Sequence, residues 1–418
     1  MTDDKVKIVF VGHVDHGKST LIGRLLYDTQ LIEEDKVNDL RKNSVDGNII
    51  NFAFIADRFE EEQKQGITID TTQLFFETSK RRYVIIDAPG HVEFIVNMIT
   101  GAAQADMAVL IIDVTEGIKE QTKRHAYILS MLGVKRIIVA VNKMDLINYD
   151  KKKYIAITKE ICNFLNEINY IEVKCVPVSA INGDNITDHS NEMKWYKGKS
   201  FVEIIDNINM GDNEEKHQVV IPIQDIYNIK SKNKRIYVGR IECGNISVGQ
   251  KIDILPYGKH AFINTIEKYG EKKVHAENGE CIGITIEESL FVERGSILYS
   301  GENTLNVNSH FRASILLLGE NTIKLGERLI FQNLTQEEEC IISRIFRKIN
   351  SDTLDSINNC LHEVNKLEVA EVEIKTKKNV VTSNVNNIQA LGRFVLTNNN
   401  VIVCLLYTSD AADDRISV

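Results

Sequence analysis

The stretch GHVDHGKST, residues 12–20, lies between a nearly continuous apolar run, VKIVFVG (6–12), and an amphipathic one, STLIGRLLYD (19–28). It fits G-x-x-x-x-G-K-[ST] at every fixed position, and it sits where that pattern has mechanical meaning, after a buried strand and at the start of a helix. In such a turn successive backbone N–H groups face inward and, with the helix N-terminus, hold phosphate oxygens. Gly12 and Gly17 stand where a side chain would block the turn or the approach of the phosphate. His13, Val14, Asp15 and His16 supply backbone between them. Lys18 is placed to reach the β- and γ-phosphates and Ser19 to give a hydroxyl to Mg²⁺, and Thr20 closes the nucleotide-binding segment. A metal site on His13 and His16 is the weaker reading, since no third ligand has a fitting spacing.

The same alternation continues outward. YVIIDAP (83–89), MAVLIIDV (107–114), RIIVAVN (136–142) and VKCVPVSA (173–180) are apolar runs of strand length. Most are continuous, as strands buried on both faces must be. VEFIVNMITGAAQA (92–105) and EQTKRHAYILSMLG (120–133) read as helices between them. The expected fold is therefore an α/β P-loop domain over 1–210, a mostly parallel sheet flanked by helices.

The texture changes after NINMGDNEEKH (207–217). RIYVGRIECGNISVGQKIDILPYG (235–258) and GECIGITIEESLFVERGSIL (279–298) alternate at hairpin spacing with glycine punctuation, and predict an antiparallel β-barrel over 211–302. FRASILLLG (311–319), CIISRIFRKI (340–349), KLEVAEVEIKT (366–376) and ALGRFVLTNNNVIV (390–403) predict a second barrel over 303–403, with GENTLNVNS as the joint. CLLYTSDAADDRISV (404–418) belongs to neither block. It resembles translated linker sequence, so the second barrel is expected to be cut short and the tail is set aside.

Four further segments bear on the nucleotide. Asn142-Lys143-Met144-Asp145 follows the fourth apolar strand, where a carboxylate can accept from N1–H and the N2 amino group of guanine, a pairing adenine does not offer. Asn142 and Lys143 would tie this loop and cover the base, and Ser179-Ala180 would support the base through backbone N–H. Asp87-Ala88-Pro89-Gly90 closes the YVII strand. There Asp87 can hold Mg²⁺ through water and Gly90 can donate its N–H to the γ-phosphate. The next residue, His91, can orient the attacking water. In Gly66-Ile67-Thr68, Thr68 can close over Mg²⁺ and the γ-phosphate in one nucleotide state and release in the other.

The totals are compatible with this reading. The chain has 418 residues, enough for two or three domains, with 43% apolar and 26% charged residues. Seven cysteines show no C-x-x-C pair and fit reduced thiols in a cytoplasmic protein. The acidic N-terminus runs directly into a strand and is not a signal peptide, and no apolar run is long enough to cross a bilayer. The formal charge of −9 argues against non-specific nucleic-acid binding as the main task.

GHVDHGKST, KQGITID, DAPGH, NKMD and SA, in this order, resemble the translation-factor superfamily of GTPases. That resemblance implies a GTP-binding domain followed by two barrels, GTP and Mg²⁺ as ligands, His91 placing the water, and an apolar gate at Val14 and Ile67. Within the superfamily, LIGRLLYDTQLI (21–32), EGIKEQTKRHAYILSMLGVKRIIVAVNKMDLINY (116–149), GDNITDHSNEMKWYKG (183–198), GQKIDILPYGK (249–259), SLFVERGSIL (289–298) and KLEVAEVEI (366–374) look like the GTP-binding subunits of sulfate adenylyltransferase. This implies coupling of GTP hydrolysis to formation of adenosine 5′-phosphosulfate and pyrophosphate from ATP and sulfate. A smaller partner subunit would hold ATP and sulfate, with neither membrane nor nucleic acid involved. The competing expectation is a translation factor delivering aminoacyl-tRNA, and a third is a nucleotide-binding regulator. A tRNA contact needs a basic face. RIFRKIN (344–350) supplies basic residues, although a solvated edge strand explains it equally well.

Overall fold

The computed structural model describes residues 5–29, 52–55, 73–88, 95–102, 105–168, 170–208, 218–229, 234–288, 290, 292–301, 305–319, 321–350, 355–357, 361–385, 387–398 and 401–408. They fall in two units, Met1–Met210 and Gly211–Val418.

The first unit is a six-stranded sheet. Its strands are β1 (Lys5–Gly12), β2 (Gln73–Glu77), β3 (Arg82–Asp87), β4 (Met107–Asp113), β5 (Arg136–Asn142) and β6 (Glu172–Pro177), in the order β2-β3-β1-β4-β5-β6. The last five are mutually parallel, and only β2 runs antiparallel, against β3. The apolar runs explain the parallel part: all of β4 is buried, and so are the last five residues of β1. β2 is the exception to the expected pattern. Its exposed Phe75, between buried Leu74 and Phe76, shows the alternation of a strand covered on one face only.

Among the described residues the same unit holds helices α1 (Lys18–Asp28), α2 (Ile95–Ala102), α3 (Glu120–Met131), α4 (Lys151–Glu167) and α5 (Phe201–Asn207), besides a single helical turn at 52–55. α5 begins with a full capping box, in which the Ser200 side chain accepts from Glu203 N–H and the Glu203 carboxylate accepts from Ser200 N–H. α1 packs so closely on residues 52–55 that a Cβ on Gly23 would lie 1.8 Å from the Phe52 carbonyl oxygen. Because the parallel strands share a direction, Gly12, Asp87, Asp113, Asn142 and Pro177 all end at one edge of the sheet. β1 lies between β3 and β4, so the chain winds outward on both sides of it, and such a switch point opens a crevice for ligands.

The second unit holds two seven-stranded antiparallel sheets, each closed on itself. In the first, Lys251–Leu255 pairs with both Ile297–Ser300 and Lys259–Lys268; in the second, Arg328–Asn333 pairs with both Arg393–Asn398 and Gln336–Asn350. Separate apolar cores fill them, one around Ile221, Ile252 and Leu298, the other around Phe331, Val372 and Phe394. A smaller cluster including Val220, Tyr299, Val381 and Leu391 joins strands of both.

Three expectations change here. The joint GENTLNVNS (301–309) is shorter than expected, because its last four residues belong to the strand Asn306–Leu317, with Asn306 opposite Thr382. The stretch from Cys404 is not wholly outside the fold. Val401–Thr408 is a strand between Asn306–Leu317 and Arg393–Asn398, with Cys404 opposite Leu317 and Thr408 opposite Ala313; residues 409–418 lie outside the described set. RIFRKIN is an edge in part. It belongs to Gln336–Asn350, whose residues 340–350 pair with Glu368–Thr382 while only 336–341 pair with Arg328–Asn333; on that second side the run meets Ser356–Ile357 alone among the described residues, at Lys348 and Ile349. Arg344 and Arg347 are exposed, as a solvated edge requires, but Lys348 is 1% exposed with its ammonium 3.1 Å from Glu368.

No helix among the described residues is long and apolar enough to cross a membrane.

Candidate functional site

Four loops at the carboxyl edge of the sheet make the site, and each is shaped by a local device. The loop after β1 turns through Asp15 at φ 63° and Gly17 at φ 87°, both left-handed. Gly17 is the N-cap of α1. No side chain caps that terminus and no acidic residue stands in its first turn, so the helix presents its N–H groups and positive end to the loop. This is the environment an anion requires. Lys18 lies in that first turn. Its ammonium is 2.7 Å from Asp87 Oδ1 at the end of β3 and donates to the Ala88 carbonyl. Ser19 and Thr20 are half-buried beside it. The end of β3 and the first turn of α1 are therefore joined through Lys18 and Asp87, with Ser19 next along the helix.

His16 is fully buried, unlike a surface histidine. Its Nδ1 accepts from the Asp113 N–H at 3.2 Å, and its Nε2 lies 3.7 Å from Glu116. His13 stands edge-on to it at 5.1 Å between centroids and contacts Gln121 of α3. Among the described residues no three metal-ligating side chains come together. Val14 is 45% exposed at the loop tip.

The loop after β5 is tied to the phosphate loop by one side chain. Asn142 Nδ2 donates to the His16 carbonyl at 3.0 Å, and its Oδ1 accepts from the Ala180 N–H at 3.0 Å. One buried amide thus links the phosphate loop to the loop after β6. Lys143, at φ 62°, reaches back to Asp113 Oδ2 at 2.7 Å. Burial alone would raise the Asp113 carboxyl, but Lys143 and Thr115 outweigh it and hold it below the usual carboxylate range. Asp145 accepts from the Ser179 hydroxyl at 2.6 Å, and Ser179 Oγ also accepts from the Asn182 N–H. Arg24 of α1 donates to the Ile181 carbonyl at 3.0 Å, a second brace between α1 and the base loop.

Met144 has a different place from the one expected. Its side chain is wholly buried and only its backbone serves the loop, donating to the Val178 carbonyl at 3.2 Å. Ala88 is likewise buried and contributes its carbonyl. Pro89, Gly90 and His91, and Ile67 and Thr68, lie outside the described residues. Asp113, Arg24 and Gln121 were not singled out from the sequence. A carboxylate ending the otherwise apolar β4 was the available signal for the first.

Burial also shifts two histidines. Desolvation pushes His16 below its ordinary range, and desolvation with the nearby Arg124 cation pushes buried His125 of α3 down to about 3. His125 stays neutral in the fold but takes a proton near pH 6.5 once unfolded. Its contribution is therefore intact above pH 6.5 and is lost as pH falls towards about 3, at about 1.4 kcal/mol per unit, and His16 acts in the same direction. Urea unfolding at pH 7.5 and 5.5 should show a stability lower by at least about 1.4 kcal/mol at the acid end; equal midpoints would contradict the neutral burial of His125.

A parallel sheet with a phosphate loop at its switch point and an aspartate-bearing base loop beyond it defines a P-loop protein of the GTP-binding class. The comparisons narrow this. The model of the elongation factor Tu GTP binding domain matches residues 3–225, and that of the GTP-eEF1A C-terminal domain-like family matches 310–405. Sulfate adenylyltransferase subunit 1 of Alteromonas mediterranea is 30% identical, over 98% of this chain and 88% of the relative. Elongation factor 1-alpha of Pyrococcus furiosus is 35% identical, over 95% and 96%. Subunit 1 of Colwellia psychrerythraea is 33% identical, over 87% and 79%. The chain belongs to the translation-factor-like GTPases.

Proposed function

We propose that this GTPase is the GTP-hydrolysing subunit of a sulfate adenylyltransferase, coupling GTP hydrolysis to synthesis of adenosine 5′-phosphosulfate and pyrophosphate from ATP and sulfate. The observation that carries the reading is the EQTKRHAYILSMLG segment. Its resemblance is to the sulfate branch, and it forms α3, whose Gln121 touches His13 in the phosphate loop. The similarity to subunit 1 proteins over most of their length supports it.

In this reading residues 12–20 hold the phosphates, with Lys18 on the β- and γ-phosphates. Ser19 and Thr68 would hold Mg²⁺, with Asp87 supporting it through water, and the ion would supply charge neutralisation at the phosphates. Gly90 donates to the γ-phosphate, and His91 orients water without acting as a full base. Asp145 selects guanine; Asn142, Lys143, Ser179 and Ala180 hold it in place. A smaller subunit binds ATP and sulfate, in the cytoplasm.

His91→Ala should slow GTP hydrolysis by about 10²-fold while leaving GTP affinity within about twofold. An equal loss of affinity, read by nucleotide titration, would make His91 structural.

The second reading is a translation factor delivering aminoacyl-tRNA. Elongation factor 1-alpha of Pyrococcus furiosus favours it by identity and coverage, and so does one feature of the second barrel, where Arg312 and Arg344 stand over the Phe346 ring at 4.2 and 4.9 Å. GTPase rates separate the two. Stimulation by an ATP- and sulfate-binding subunit supports the first, and stimulation by ribosomes with aminoacyl-tRNA supports the second.

A further inference from the structure

On the face of the sheet covered by α4, Cys162 of the helix and Cys175 of β6 bring their sulfurs to 3.5 Å. Both are free thiols and both are partly exposed. A disulfide needs an S–S distance of about 2.05 Å, so the pair is about 1.5 Å from bonding. β6 can supply part of that movement, because among the described residues it is the last strand of its sheet and pairs with β5 alone. The two thiols also differ. The Cys175 thiol, hydrogen-bonded to its neighbour, holds Cys162 below the usual thiol range; the same bond and burial push Cys175 up. Cys162 is then the attacking sulfur and Cys175 the one that completes the bond.

The position of the pair gives the bond a consequence. From the end of β6 at Pro177 the chain runs directly into Val178, Ser179 and Ala180, three to five residues beyond Cys175. Ser179 donates to Asp145, and the Ala180 N–H donates to Asn142. The Cys175 carbonyl also accepts from the Tyr196 hydroxyl at 3.3 Å, and Tyr196 packs at 6.3 Å on Tyr154 of α4. A closure that draws α4 and β6 together therefore pulls on the strand that positions the base loop.

We propose that Cys162 and Cys175 form a reversible disulfide site, oxidised by low-molecular-weight disulfides, whose closure alters the hold of the base loop on the guanine nucleotide. The Cys162 thiolate attacks one sulfur of the oxidant RS–SR, making Cys162–S–SR and expelling RS⁻. Cys175 loses its proton to RS⁻ and attacks the Cys162 sulfur, and the second RS⁻ leaves and is protonated from water. Two protein thiols are oxidised by two electrons, and one RS–SR is reduced to two RSH.

The test is to equilibrate the full chain with oxidised and reduced glutathione and map it with trypsin. Cleavage after Lys174 places the two cysteines in separate peptides, 160–174 and 175–194. The expected product is these two peptides joined, two hydrogen masses below their sum, and released by dithiothreitol. Exposed Cys281 reports that the oxidant has acted. Cys281 carrying glutathione while 160–174 and 175–194 stay unlinked would overturn the site. Release of a fluorescent GDP analogue from the oxidised chain should differ by about fivefold or more from that of the reduced chain, whereas Cys162→Ser should give one rate in both buffers. A linked pair with an unchanged release rate would overturn its connection to the base loop. The peptide map needs no variant, so the site is tested even where Cys162→Ser fails to fold.

Discussion

Asp145→Asn changes the preferred nucleotide from GTP to XTP. The carboxylate is held by the Ser179 hydroxyl at 2.6 Å, on a loop whose backbone is pinned by Met144 N–H to the Val178 carbonyl. An asparagine keeps an oxygen for Ser179 and replaces the other acceptor by an amide N–H donor. Guanine offers a donor there, its N2 amino group, and the two donors face each other unpaired. Xanthine offers a carbonyl oxygen instead, and the pairing is restored. A site built to pair a polar group rejects a mismatched analogue by about 10⁴-fold, so an inversion of GTP over XTP preference by about 10³-fold is expected after allowance for the partial exposure of Asp145. Competition titrations with both nucleotides read it directly, and unchanged preference would remove Asp145 from the base site.

Gly17→Ala nearly abolishes binding of any guanine nucleotide. The residue sits at φ 87°, where a side chain is strained, and a Cβ there would lie 2.4 Å from Asn142 Nδ2. Asn142 cannot simply turn aside. Its Nδ2 holds the His16 carbonyl and its Oδ1 the Ala180 N–H, so yielding to the methyl group breaks the brace between phosphate loop and base loop. The left-handed conformation costs about 1 kcal/mol and each buried hydrogen bond lost about 1–3 kcal/mol. The expected loss of GDP affinity is about 10²–10³-fold. Asn142→Ala, which removes the clash and the brace together, should bring little further loss when added to Gly17→Ala. Independent, additive losses in the double variant would show that the two residues do not act through one contact.

Much of this site was legible because its parts are local. GHVDHGKST needs only a strand before it and a helix after it, and NKMD and SA each follow an apolar strand. What joins them was not legible, because it depends on register across the sheet. Asp113 lies opposite Asn142 in the β4–β5 pairing, which puts it within reach of Lys143, 30 residues away in sequence. Arg24 meets Ile181 through an even longer interval. The basic run RIFRKIN is legible only in part. Its charges suggest a wet edge, and Arg344 and Arg347 are exposed there, yet the register of the strand turns Lys348 inward to Glu368. The end of the second barrel was misjudged on composition, whereas backbone pairing carries the strand to Thr408.

The most direct test of the functional reading is phosphosulfate formation. The chain is combined with an ATP- and sulfate-binding adenylyltransferase subunit, ATP, sulfate and Mg²⁺, and adenosine 5′-phosphosulfate and GTP hydrolysis are followed together with GTP present or withheld. The account predicts that phosphosulfate rises well above its GTP-free level, in step with GTP hydrolysed, and that Asp145→Asn transfers the requirement to XTP. A GTPase rate indifferent to that subunit, with GTP-dependent aminoacyl-tRNA binding and stimulation by ribosomes, would contradict it.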